Sequence, residues 1–115
     1  MKDLNELKER VRAFVEERDW HRFHSPKNLS MALIVEAAEL VEQFQWLTEE
    51  ESSNISGAKR LAVEEEMADI LVYLTSLASK LNVDMLAAAE AKLIKNGLKY
   101  PADRVRGDAR KYNEY

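Results

Sequence analysis

The sequence predicts an all-α, four-helix bundle, on three observations. The chain has only three glycines and two prolines among 115 residues, so little interrupts a continuous backbone hydrogen-bond ladder. Ala, Leu, Glu and Lys, which lose little freedom in a helix, fill much of the remainder. Apolar residues recur at spacings of three and four rather than two, which lines them along one side of a helix.

A first helix is read from Leu4 to Arg18, with Leu4, Leu7, Val11, Phe14 and Val15 as its apolar stripe. Asp19-Trp20-His21-Arg22-Phe23-His24 follows as an aromatic, polar link without clean periodicity. Ser25-Pro26 fits an N-cap with proline in the first turn, and an onset nearer Ser30 is equally compatible. This second helix runs to Trp46 or Leu47. Thr48 to Gly57 is a polar, acidic connection whose Ser56 is placed to cap a third helix reaching about Leu81. Asn82-Val83-Asp84 reads as a stop and a new cap. The fourth helix then extends to about Asn96, and Gly97 is expected to end it. Residues 97–115 read as a charged, extended tail of one domain spanning 1–115.

Met67, Ile70, Leu71, Val72, Tyr73, Leu74, Leu77, Ala78 and Leu81 occupy nearly the whole circumference of the third helix. A helix apolar all round must be covered on all sides. One solution is a central position in the bundle. The other is burial between copies of the chain, as a homodimer or homotetramer, which the sequence favours because three modest neighbours cover too little.

Net charge is −4 with both signs interspersed, which offers no broad basic surface to an extended nucleic acid. A small anionic ligand held by local cations remains compatible. The absence of cysteine excludes a disulfide framework and thiolate metal sites. Met1 to Glu6 lacks an apolar signal core, and no apolar run approaches the ~20 residues of a membrane span. The expectation is a cytoplasmic protein with no membrane partner.

Two acidic pairs, Glu36-Ala-Ala-Glu39 and Glu66-Met-Ala-Asp69, lie inside the most apolar stretches. Spacing of i, i+3 sets both acids of each pair on one helix face. Such pairs are common on solvated faces, but carboxylates among apolar neighbours need something to offset their desolvation. The faces also continue similarly, through Gln43 and Trp46 on one helix and Tyr73 and Ser76 on the other. Opposed, they bring four carboxylates together, which repel unless cations intervene. Hard Mg2+ suits an all-oxygen set and, in turn, phosphate chemistry. A ferritin-like di-iron centre requires Glu-x-x-His pairs, and the two histidines, His21 and His24, have no such spacing. Neither a glycine-rich phosphate loop nor a zinc pattern is present.

Near the end, Lys92 and Asn96 lie four apart on one face, suited either to phosphate contact or to a solvated helix end whose cations match the macrodipole. Trp20, Phe23 and His24 can stack on a base or plug the core under a loop.

Glu36-x-x-Glu39 followed by Glu66-x-x-Asp69 resembles the signature of the all-α nucleoside triphosphate pyrophosphohydrolases, the MazG-like superfamily. Arg18-Asp19-Trp20, Phe23-His24, Phe44-Gln45-Trp46, Asp69 to Leu74, Lys99-Tyr100-Pro101 and Lys111-Tyr112 are similar to its dCTP pyrophosphatase branch. The resemblance runs from Leu4 to Tyr115. It implies Mg2+-dependent cleavage of a nucleoside triphosphate, dCTP or a modified dCTP, between the α and β phosphates, to monophosphate and pyrophosphate. It implies that Glu36, Glu39, Glu66 and Asp69 bind Mg2+ and carry catalysis. Lys92, Asn96 and Tyr100 are then expected to hold phosphates, and Trp20, His24, Trp46 and Tyr73 to shape the nucleoside pocket. One departure concerns the base: the animal relatives carry a base-contacting histidine where this chain has Val11. The competing class is a non-catalytic helical binding or scaffold module that retains the fold and uses the acids only as surface charge.

Overall fold

The computed structural model describes residues 1–109, all helix and connection. The chain divides into two compact units, Met1–Asn82 and Val83–Tyr115. In the first, α1 spans Leu4–Glu17, a 3-10 turn spans His21–Phe23, α2 spans Pro26–Glu42, α3 spans Glu49–Ser52 and α4 spans Gly57–Leu81. The second holds α5, Met85–Lys99, and α6, Ala102–Val105.

Local chemistry sets most boundaries. Asp3 caps α1 by accepting from the Glu6 N–H at 2.8 Å, satisfying one orphan donor of the first turn. Arg18 closes the other end, donating to the Phe14 carbonyl at 2.9 Å with its guanidinium 3.6 Å from the Phe14 ring centroid. Asp19 then takes a φ of 54°, a left-handed conformation in which Asp is tolerated, and the chain leaves the helix. Ser25 caps α2 through the Asn28 N–H at 3.1 Å, with Pro26 as the first helical residue. The onset is therefore Pro26, not Ser30. Asn82, at φ 54° and ψ 42°, ends α4. Asp84 caps α5 through the Ala87 N–H at 3.0 Å.

Three boundaries differ from the sequence reading. First, α2 stops at Glu42, because the chain tightens into turns: Phe44 N–H donates to the Val41 carbonyl and Leu47 N–H to the Phe44 carbonyl, each at 2.9 Å. Second, the Thr48 to Gly57 connection contains α3, nucleated by a reciprocal capping box between Thr48 and Glu51. Third, Gly97 does not end α5, which continues to Lys99. A single glycine weakens a helix interior by only about 1 kcal/mol, and Gly97 has open space around it. The segment read as an extended tail carries α6; its Lys111-Tyr112 motif lies outside the described residues.

In the first unit α4 is the axis: α2 packs along it most extensively and α1 packs against it as well. Among the described residues only Leu29, Val63, Thr75 and Ala78 are buried. Met31, Ile34 and Val35 on α2 and Leu61, Met67 and Leu71 on α4 stay more than 40% exposed. Among the described residues no single helix is long and apolar enough to cross a membrane.

Candidate metal centre and adjoining pocket

The α2–α4 packing sets Glu36 and Glu39 against Glu66. Carboxylate oxygens of these three residues, one from each, lie within 4.8 Å of one another. Each residue is half-buried, and the Oε2 atoms of Glu36 and Glu66 are sealed from water with no hydrogen-bond partner. An ionised carboxylate only accepts hydrogen bonds, so three facing carboxylates offer one another nothing until a proton or a cation joins them.

Proton affinities reflect this. Burial, then hydrogen bonding of its protonated form to Glu39 and Glu66, then the charges of Glu39 and Asp69 push the Glu36 pKa up to about 7. Glu66 is also raised, chiefly by burial and then by Glu39. Asp69, one turn beyond Glu66, is exposed. It stands at the rim of the cluster and acts on both glutamates through its charge.

The arrangement fits a divalent cation. Two orphaned buried oxygens and an all-carboxylate donor set favour a hard ion such as Mg2+, Mn2+ or Ca2+. Cysteine is absent and no histidine joins the cluster, so a softer ion gains no preferred ligand.

The other residues named from sequence fall into three places. Trp20 and His24 flank the 3-10 turn, their rings 6.5 Å apart, and Trp20 meets the Phe14 ring edge-on at 5.9 Å. Asn28 ties this segment to α2 by donating to the Phe23 carbonyl at 3.0 Å. Tyr73 is half-buried on α4, one turn beyond Asp69, while Trp46 stands 87% exposed in the turn after α2. Lys92, Asn96 and Tyr100 belong to the second unit. There Lys92 is exposed, Asn96 is half-buried and the Tyr100 N–H donates to the Asn96 carbonyl at 2.8 Å.

One feature escaped the sequence reading. A pocket of about 330 Å³ opens between α1, the 3-10 turn and α4. Val11 and Val15 supply its apolar wall; Thr75, Ser76, Ser79, Lys80 and His24 supply polar groups. The available signal was the polar run Thr75, Ser76, Ser79 and Lys80 inside the otherwise apolar second half of α4. Burial, followed by the Lys80 charge, holds the His24 pKa below its ordinary value, so the imidazole is neutral at pH 7.

Comparison with known proteins adds three findings. Residues 31–115 match the model of the MazG-like family. The human and rat proteins named dCTP pyrophosphatase 1 are 41% and 38% identical over 113 residues, covering 96% of this chain. The chain spans 66% of the length of each of them. The crystal structure of a pyrophosphatase from Archaeoglobus fulgidus superposes with a TM-score of 0.80 at 38% identity, covering 84% of this chain and 91% of that one.

Proposed function

The chain belongs to the MazG-like family, and from that premise we propose that it is a nucleoside triphosphate pyrophosphohydrolase. It hydrolyses dCTP or a modified dCTP to the monophosphate and pyrophosphate, and so clears surplus or non-standard nucleotides. The observation that carries this reading is the meeting of Glu36, Glu39 and Glu66 with two buried, unpartnered carboxylate oxygens. The names and identity of the relatives support it.

Glu36, Glu39, Glu66 and Asp69 would hold Mg2+. Bound there, Mg2+ would neutralise phosphate charge and favour ionisation of the attacking water. The chain's own groups do the rest. Glu39 orients the attacking water and takes its proton. Oxygen adds at the α-phosphorus, the bond to the α–β bridging oxygen breaks, and the electron pair leaves with pyrophosphate. Lys92, Asn96 and Tyr100, which belong to the second unit, are proposed as phosphate-binding residues on the strength of the family resemblance. Trp20, His24, Trp46 and Tyr73 form the nucleoside site.

We also propose that the working form is a homodimer or homotetramer. Among the described residues only four are buried, a small core, and exposed apolar residues on α2 and α4 form a surface suited to a second copy.

The test is pyrophosphate release from a panel of nucleoside triphosphates with and without Mg2+. Metal-dependent release that is lost in Glu36→Gln supports the assignment. Unaltered release in that variant, or none with any triphosphate, refutes it.

A further inference from the structure

We propose that Lys80 selects the base: its ammonium donates to the neighbouring N3 and O2 acceptors of a cytosine seated in the pocket between α1, the 3-10 turn and α4. The assignment rests on reading the chain as a nucleotide hydrolase and identifies how that site would discriminate between pyrimidines.

The pocket mixes apolar and polar lining. Val11 and Val15 offer no hydrogen bond and can only cover a ring. Ser76, Ser79, Lys80 and His24 carry groups able to read a base edge, and α1 adds the charged groups of Lys8, Arg12 and Glu16. Ser76 follows Asp69 by two helical turns along α4, a rise of about 10 Å. A nucleotide spans a similar length from base to α-phosphate, so a base in the pocket leaves its phosphates toward the acids.

Lys80 is fixed there by one bond. Its Nζ donates to the His21 carbonyl at 3.3 Å, joining α4 to the turn that carries Trp20 and His24. An ammonium has three donors and no acceptor, so two remain for a ligand. Lys8 and Arg12 also line the pocket from α1, and Arg12 is paired with Glu9 at 3.4 Å.

Donor-only chemistry discriminates among pyrimidines. Cytosine presents two adjacent acceptors, N3 and O2, and an exocyclic amine. Uracil and thymine carry a hydrogen on N3, which opposes the ammonium and leaves a polar group unpaired in the pocket. The cytosine amine meets groups that accept: the serine hydroxyls and the unprotonated nitrogen of His24, which is neutral at pH 7.

The test compares kcat/KM for dCTP and dUTP in the wild type, Lys80→Met and Lys80→Arg. The wild type should prefer dCTP by about tenfold or more, as expected for a hydrogen bond to a charged group. Lys80→Met should lose about that factor on dCTP and change little on dUTP, and Lys80→Arg should restore part of the preference. Equal losses on both substrates would mean that Lys80 only fastens the turn, and would overturn the proposal. A wild type without dCTP preference would also overturn it while leaving the hydrolase reading intact. Absence of turnover with every triphosphate would instead condemn the hydrolase reading. Calorimetric binding of dCMP and dUMP to the metal-free protein then decides the pocket. Preference for dCMP that Lys80→Met abolishes supports the assignment, and equal affinities overturn it.

Discussion

Replacing Glu36 by glutamine should stabilise the metal-free protein near neutral pH and give no such advantage in acid. The structure sets the size of the effect. Glu36 is raised from its ordinary 4.5 to about 7 by burial and by neighbouring carboxyls. Between those values the folded state keeps a proton that the unfolded chain releases, so stability falls as pH rises through that window. Below 4.5 both states are protonated and the penalty disappears; above about 7 it is complete. The full change corresponds to about 3 kcal/mol, which solvent screening at the open rim of the cluster reduces to about 1–2 kcal/mol. Glutamine keeps the shape, carries no charge and brings the donors that the facing carboxylates lack. Thermal melts with a chelator should therefore show Glu36→Gln melting about 4–8 °C above wild type at pH 7.5. The difference should close by pH 4.5. Millimolar Mg2+ should reverse the order, since a ligand that binds only the folded state raises its stability by mass action. A variant less stable than wild type at every pH, or a gain that ignores pH, would refute the idea that the cluster is electrostatically strained.

Three further outcomes follow from the same geometry. Glu39→Ala and Asp69→Ala should abolish pyrophosphate release yet melt no lower than wild type without metal, because each relieves repulsion; a large loss of stability in both would mark these acids as structural. Ile34→Glu, on an exposed apolar part of α2, should shift light scattering toward smaller species, and Leu74→Glu or Leu77→Glu, at half-buried positions of α4, should cause unfolding or aggregation. A well-folded, fully active wild-type monomer at low micromolar concentration would refute the assembly. Trp46→Ala should change stability by less than about 0.5 kcal/mol, as expected for an exposed position, and raise KM for the triphosphate; an unchanged KM would remove Trp46 from the nucleoside site.

The sequence was most informative where one residue acts on the backbone within a turn of itself. Asn82 and Asp84 mark helix ends because a cap or a left-handed turn is local chemistry, whereas Ser25-Pro26 left Ser30 open as a second onset. Gly97 misled for the same reason: its preference is weak beside the hydrogen bonds that carry α5 to Lys99. The early end of α2 and the short α3 were harder to read. They depend on competing turn bonds and on a reciprocal Thr48–Glu51 bridge worth little on its own. The juxtaposition of Glu36, Glu39 and Glu66 was readable because two helical periods aligned acids inside apolar helices. The pocket was not, since Val11, Ser76, Ser79 and Lys80 are individually ordinary and become a site only when α1 lies on α4. The exposed setting of Asp69 was equally hidden, because periodicity gives a direction around the helix but not the depth to which a neighbour covers it.

Metal-dependent cleavage between the α and β phosphates is the reaction proposed for the glutamate cluster. Phosphorus NMR of dCTP incubated with the protein tests it most directly. Equal amounts of dCMP and pyrophosphate should appear only when Mg2+ is present, and neither product in Glu36→Gln. Orthophosphate and dCDP as the first products, or the same turnover in the presence of a chelator, would contradict it.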